Sequence, residues 1–120
     1  MDYITFYNRY GKPIAYLSER DKETIYMFNG KPVAWIDNDC IYSFKGKHLG
    51  WYEHGWIYDQ QGYCVFFTDE AKGGPVKPIK QIKPIRNISS IRPIKGIKEI
   101  KPIKQVKKLS WANNSDKFFE

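Results

Sequence analysis

Apolar positions recur along this chain with two different periods, and the switch between them divides it. In the first part they form short alternating runs around Gly11, Gly30, Gly46 and Gly62, spaced 19, 16 and 16 residues apart. Aligned on those glycines, four segments stand in register: "FYNRYGKPIAYL", "IYMFNGKPVAWI", "IYSFKGKHLGWY" and "IYDQQGYCVFFT". A tyrosine stands four before each glycine (Tyr7, Tyr26, Tyr42, Tyr58), and an aliphatic three after it (Ile14, Val33, Leu49, Val65). An aromatic stands five after it (Tyr16, Trp35, Trp51, Phe67). Four coincident columns make an internal repeat.

Each unit reads as a β-hairpin. Asn29-Gly30 is the signature of a two-residue type I′ turn, and Tyr10-Gly11, Lys45-Gly46 and Gln61-Gly62 fill the same slot. The four glycines are therefore assigned as structural turn residues. That register pairs Tyr26 with Val33, with Phe28 and Trp35 on one face and Ile25, Ala34 and Ile36 on the other. Both faces are largely apolar, which a lone hairpin cannot sustain in water, so the four must bury one another. Pro13 and Pro32 fall where the missing N–H points away from the partner strand, so successive hairpins do not continue one ladder there. The small residues Ala15, Ala34 and Gly50 share a column and imply close approach at a pseudo-symmetry axis; Phe66 sets the fourth unit apart.

The expected fold is all-β: four β-hairpin repeats in a pseudo-four-fold, petal-like arrangement, followed by a polyproline-II-like basic C-terminal segment. A single twisted meander sheet is the alternative. The repeat domain is placed at 1–72, with units at about 4–17, 24–36, 40–52 and 56–68. Gly73, Gly74 and Pro75 form a linker, 76–109 the tail, and 110–120 the C-terminal end.

In the tail the period becomes three. From Val76 to Leu109 an aliphatic residue stands at every third position, twelve in all. The position after each of the first eleven is basic ten times, as Lys77, Lys80, Lys83, Arg86, Arg92, Lys95, Lys98, Lys101, Lys104 and Lys107; Ser89 is the exception. Pro78, Pro84, Pro93 and Pro102 share the third column with polar residues. Neither a strand nor an α-helix has this period, whereas polyproline II has three residues per turn. Twelve aliphatics in strict phase predict that the isoleucine stripe docks: on the petals, on itself folded back near "NISS", or on another protomer.

Charge sharpens the division. Residues 1–74 hold eight Lys/Arg and ten Asp/Glu, and residues 75–120 hold twelve and three, within a chain of net charge +7. The basic charge belongs to the tail. The ten stripe cations are candidates for an anionic partner, a nucleic acid or other anionic polymer, against the plainer reading of a solvated face. The N-terminus shows neither a leader pattern nor an apolar span, so the default expectation is a cytoplasmic protein with no transmembrane segment; export without a cleaved leader stays open.

The tandem "IY-x-x-x-G-K-P-[IV]-A-[YW]" pattern, over roughly residues 3–69, resembles the bacterial proteins called 4-fold beta flower domain proteins. The resemblance implies the fold; it implies no established activity and no catalytic residues to carry over. By analogy, the aromatic hairpins are also similar to cell-wall-binding repeats of choline-binding type.

Reactive chemistry is sparse. His48 and His54 match no zinc spacing, and "DND" at Asp37 to Asp39 reads as a turn rather than an EF-hand loop. Cys40 and Cys64 are read as small buried residues. No nucleophile elbow or phosphate loop is present. The expectation is therefore no enzyme, no metal and no cofactor. Trp35, Trp51, Tyr52 and Trp56 could form a ligand platform for sugar rings or bases, with Tyr52 and Trp56 the most exposed; the competing reading is that they are core. The expected function is a non-enzymatic binding or assembly module whose tail mediates self-association, giving a homo-oligomer, or a partner contact. Carbohydrate binding through the aromatics and anionic-polymer binding through the tail are the alternatives.

Overall fold

The computed structural model describes residues 3–113 and 115–120. Met1 and Asp2 of the 1–72 repeat domain, and Asn114 of the C-terminal end, lie outside the described residues. Eight strands run in chain order around one closed antiparallel barrel. They are β1 (Ile4–Tyr7), β2 (Pro13–Leu17), β3 (Thr24–Met27), β4 (Pro32–Asp37), β5 (Cys40–Tyr42), β6 (His48–Glu53), β7 (Trp56–Asp59) and β8 (Cys64–Phe67). A 3-10 turn at Ser115–Lys117 is the only helix among the described residues. Successive hairpins pair with each other, and β8 closes on β1 through Tyr7 and Phe67.

The turn chemistry differs from the type I′ expectation. In each unit the glycine N–H donates to the carbonyl three residues back, as from Gly30 to Met27 at 3.0 Å, while the Met27 N–H donates to Lys31 at 2.8 Å. Within these four loops only the glycine takes positive φ, from +79° to +95°. This is a three-residue loop with its glycine in the left-handed region, the G1-bulge geometry. The type I′ pairs lie instead between hairpins, at Asn38-Asp39 and His54-Gly55, where both residues have positive φ. A register shift follows in every unit, so Tyr26 faces Pro32 rather than Val33, and Tyr7, Tyr42 and Tyr58 face Pro13, His48 and Cys64.

The axis is packed as the small column implied. Phe6, Ile25, Ile41 and Ile57 stand opposite Ala15, Ala34, Gly50 and Phe66. All eight lie in the barrel interior, and the small residues at three of the four pairs leave room for the larger ones to fill it. Phe66 breaks the column because it meets the C-terminal end: its ring stacks on Phe119 at 5.5 Å and meets Phe118 edge-on at 5.9 Å.

The free edge position beside each glycine loop explains the other departures. Where two units carry Pro13 and Pro32, the third donates its His48 N–H to the Glu99 carboxylate at 2.7 Å. The fourth donates its Cys64 N–H to Ser110 at 2.9 Å, and the Cys64 carbonyl accepts from Ala112. The N–H at this position therefore points away from the hairpin partner, toward the tail. Where the tail offers no acceptor, proline costs no hydrogen bond.

Candidate functional site: a cationic belt and an aliphatic ring

On the outer wall, the two aromatic columns meet at the seams between hairpins. Tyr16 packs on Tyr26 at 5.7 Å, Trp35 on Tyr42 at 5.1 Å and Tyr7 on Phe67 at 5.4 Å. Trp51 faces Tyr58 across the remaining seam. Acidic side chains border the seams on the connecting loops and strand ends: Glu19, Asp21 and Glu23, then Asp37, Glu53 and Asp69.

The tail runs around this wall as a belt without helix or strand from 76 to 109. Its main chain is tied to each glycine loop at a nine-residue interval. The N–H groups of Gln81, Ser90, Glu99 and Lys108 donate to the carbonyls of Gly11, Gly30, Gly46 and Gly62 at 2.8–2.9 Å. A Cβ on any of these glycines would collide with a belt carbonyl, that of Ile79, Ile88, Ile97 or Val106 respectively. The glycines thus serve the turn and the belt together. Three nine-residue intervals carry the belt past all four glycine loops, and at a polyproline-II rise of ~3.1 Å per residue each would span about 28 Å. The belt closes on itself at Trp56. Gly74 lies on that indole where the belt begins, and Trp111 packs edge-on against it at 5.5 Å where the belt ends.

Belt orientation is the reverse of the expectation that isoleucines dock on the petals or on a folded-back tail. The cations turn inward. Arg86 lies 4.0 Å from the Tyr3 ring centre and 4.9 Å from that of Tyr16, and makes two hydrogen bonds to Glu19, each 3.0 Å. Lys95 lies 4.5 Å from the Trp35 ring and pairs with Glu23 at 2.6 Å; Lys98 pairs with Asp37 at 2.5 Å. Arg92 joins Asp21 and Glu23, Lys80 pairs with Asp69 beside Tyr7, and Lys104 and Lys107 share Glu53. Lys77 sits over Trp56 and Lys83 over Tyr3. Lys101 makes no ion pair or ring contact among the described residues. Ser89, the break in the basic stripe, approaches the Tyr16 hydroxyl at 3.3 Å.

The carboxyls register this. The Arg86 hydrogen bonds hold Glu19 below the usual carboxylate range. At Glu53 desolvation pushes upward, but the hydrogen bonds of Lys104 and Lys107 prevail and lower it.

All twelve aliphatics of the belt point outward, 76–96% exposed. The result is a closed apolar ring on the perimeter, held there because main-chain bonds and cation–aromatic contacts already occupy the inner side.

The four residues of the candidate ligand platform are not brought together on a surface. Trp35 and Trp51 are buried under belt lysines, and Trp56, expected among the most exposed, is 0% exposed between belt ends and barrel. Tyr52 is half-buried, packing on Phe6 while it lines an open cavity of about 730 Å³ with Asp39, Glu53, His54, Glu70 and Lys72. No group of three or more metal-ligating side chains occurs among the described residues. Cys40 and Cys64 are free and buried, and burial pushes the Cys64 thiol up to about 11. No helix among the described residues is long and apolar enough to cross a membrane.

Sequence reasoning missed the acids and tyrosines that receive the belt. The signal was present: seam acids recur with the hairpins, and Ser89 stands nine residues from both Lys80 and Lys98.

Four hairpins closed about a pseudo-four-fold axis define a four-petalled β protein. The chain matches the family described as 4-fold beta flower protein over residues 4–119, and it belongs to that family. The match takes in the belt and the Phe118–Phe119 closure as well as the barrel. No curated protein and no solved structure matches the chain.

Proposed function

We propose that this protein is a non-enzymatic binding and assembly module whose docking face is the aliphatic ring. One observation carries this reading: twelve aliphatic side chains in strict phase stand outside a fold that had aromatic seams available to bury them. An array of exposed aliphatics of this extent marks an interaction site. The aromatic seams are closed to sugar rings or bases while the belt is in place. Most belt cations are engaged by seam acids and rings, which leaves the aliphatics as the surface offered outward.

The test compares the protein with the triple variant Ile82→Ser, Ile91→Ser and Ile100→Ser, three positions each 95% exposed. Retention on a phenyl support and the fluorescence of a hydrophobic dye fall several-fold in the variant, while far-UV circular dichroism is unchanged. Equal retention by the two proteins removes the ring as a docking face.

A further inference from the structure

We infer that the occupant of the ring is the ring of further copies of this chain. This rests on the reading of the ring as a docking face and adds who covers it. Burying one aliphatic side chain removes roughly 60–120 Å² of apolar surface, so twelve present on the order of 1,000 Å². A stable interface takes about 800 Å² from each partner. The ring supplies that area only as a whole: one quarter, with three aliphatics, offers on the order of 250 Å², so a single contact is weak and association builds through several quarters engaged at once.

Its spacing is self-complementary. Every aliphatic is three residues from the next, at ~9 Å in a polyproline-II-like rod, so the row on one belt has gaps of the width that the same row on another can fill. Each quarter of the perimeter carries an equivalent set of three, from one glycine loop to the next. A contact made by one quarter is therefore available to the others, and no different partner surface is needed.

Charge, which in the bare sequence argues against like meeting like, is largely turned inward. Glu19, Asp21, Glu23, Asp37, Glu53 and Asp69 pair with the belt cations. What remains outward is net positive: unpaired exposed cations, among them Arg20, Lys31, Lys45 and Lys47, outnumber unpaired exposed acids such as Asp39 and Glu70 among the described residues. Between two copies these repel, so added salt strengthens association. For an anionic bilayer or nucleic acid the sign is opposite.

Light-scattering mass of the full chain over a concentration series, at low and high salt, decides it. The weight-average mass rises above the 14.2 kDa of one chain as concentration rises, and rises further in high salt. The triple variant stays at one chain's mass with unchanged circular dichroism and, in dilute solution, an unchanged melting temperature. A protein that is monomeric throughout overturns the inference, as does a variant that associates like the parent. Binding to phosphatidylglycerol vesicles that salt abolishes, with no self-association, assigns the ring to a bilayer instead. A monomer whose phenyl retention still depends on Ile82, Ile91 and Ile100 keeps the docking face and discards only its occupant.

Discussion

The barrel and the belt solve opposite problems with the same kinds of residue. In the barrel, aliphatics together with Phe6 and Phe66 fill the axis, and the strand ladders satisfy the backbone. In the belt, the aliphatics stand in solvent, and the contact with the protein is made by peptide groups and cations. The barrel is thus held by burial and close packing, which are non-directional and large. The belt is held by directional contacts at fixed intervals, each small. A region held in the first way is broken by deleting volume. One held in the second is broken by shifting register.

The largest effect separating them is expected at Phe66, fully buried where barrel and C-terminal end meet. Phe66→Ala removes the axis filling of the fourth unit and the stacking surface of Phe119. A loss of about 3–5 kcal/mol is expected, in the range of buried phenylalanine truncations, read as the shift of a urea midpoint at constant m-value. Next is Gly30→Ala, which attacks the joint. The positive φ alone costs roughly 1–2 kcal/mol for a residue with a Cβ, and that Cβ would also push the Ile88 carbonyl away. Hydrogen exchange checks it: protection of the Ser90 N–H should fall far more than that of Ile25 in the barrel.

Smaller again is Arg86→Ala, which removes a paired guanidinium and its two tyrosine contacts from a partly exposed site. About 1 kcal/mol or less is expected in thermal or urea unfolding. Arg86→Lys should keep part of that, since a lysine carries the charge without the planar fork. The pH profile tests the same seams. Burial lowers the pKa of His48, with Lys101 acting in the same direction and Glu99 opposing. Its Nε2 is buried and unpartnered, so the folded protein prefers the neutral ring. The unfolded chain then binds the proton more readily, and stability falls as pH drops below the ordinary histidine value of about 6.5 toward the lowered folded value. Glu19 and Glu53, held below the carboxylate range, withdraw their contributions only at lower pH, as it falls below about 4. Two separate acid steps are expected in the melting temperature, and His48→Gln should erase the upper one alone.

How far the sequence could be read follows from which contacts are local. The glycine columns, the small residues at the axis and the exceptional Phe66 were legible because hairpin pairing relates residues a few positions apart. The turn type was misplaced because Asn29-Gly30 is a strong local signal for type I′, yet the three-residue loop Phe28 to Gly30 needs positive φ at the glycine only. The belt's three stripes were legible from their period, but not which stripe faces in. Hydrophobicity alone turns the isoleucines inward. The answer required knowing that four seams would each offer an aromatic pair beside a carboxylate, and that nine residues reach from one seam to the next. Both facts belong to the assembled barrel. The exposure expected of Trp56 was misjudged for the same reason: a face that looks free in the repeat is covered by Gly74 and Trp111 at the two ends of the belt, whereas Trp35 and Trp51 follow the competing core reading.

The smallest expected effect is the sharpest test of the contrast. Ile57 and Ile91 are the same residue type, one in the axis and fully buried, the other on the belt and 95% exposed. Ile57→Ser deletes packed volume and places a hydroxyl in an apolar interior, and a loss of several kcal/mol is expected. Ile91→Ser removes a side chain that touches solvent, leaving the Ser90 N–H on Gly30 and the Arg92 ion pairs intact. Its effect on the unfolding midpoint of the dilute protein should stay within about 0.5 kcal/mol, the range of surface substitutions. If instead Ile91→Ser destabilised dilute protein by as much as a core truncation, the aliphatic would be buried within a single chain, and the belt would lie the other way round. If it left the dilute protein unchanged but lowered the midpoint at high concentration, where copies associate, the isoleucine would be contributing to a contact between chains rather than to the fold of one.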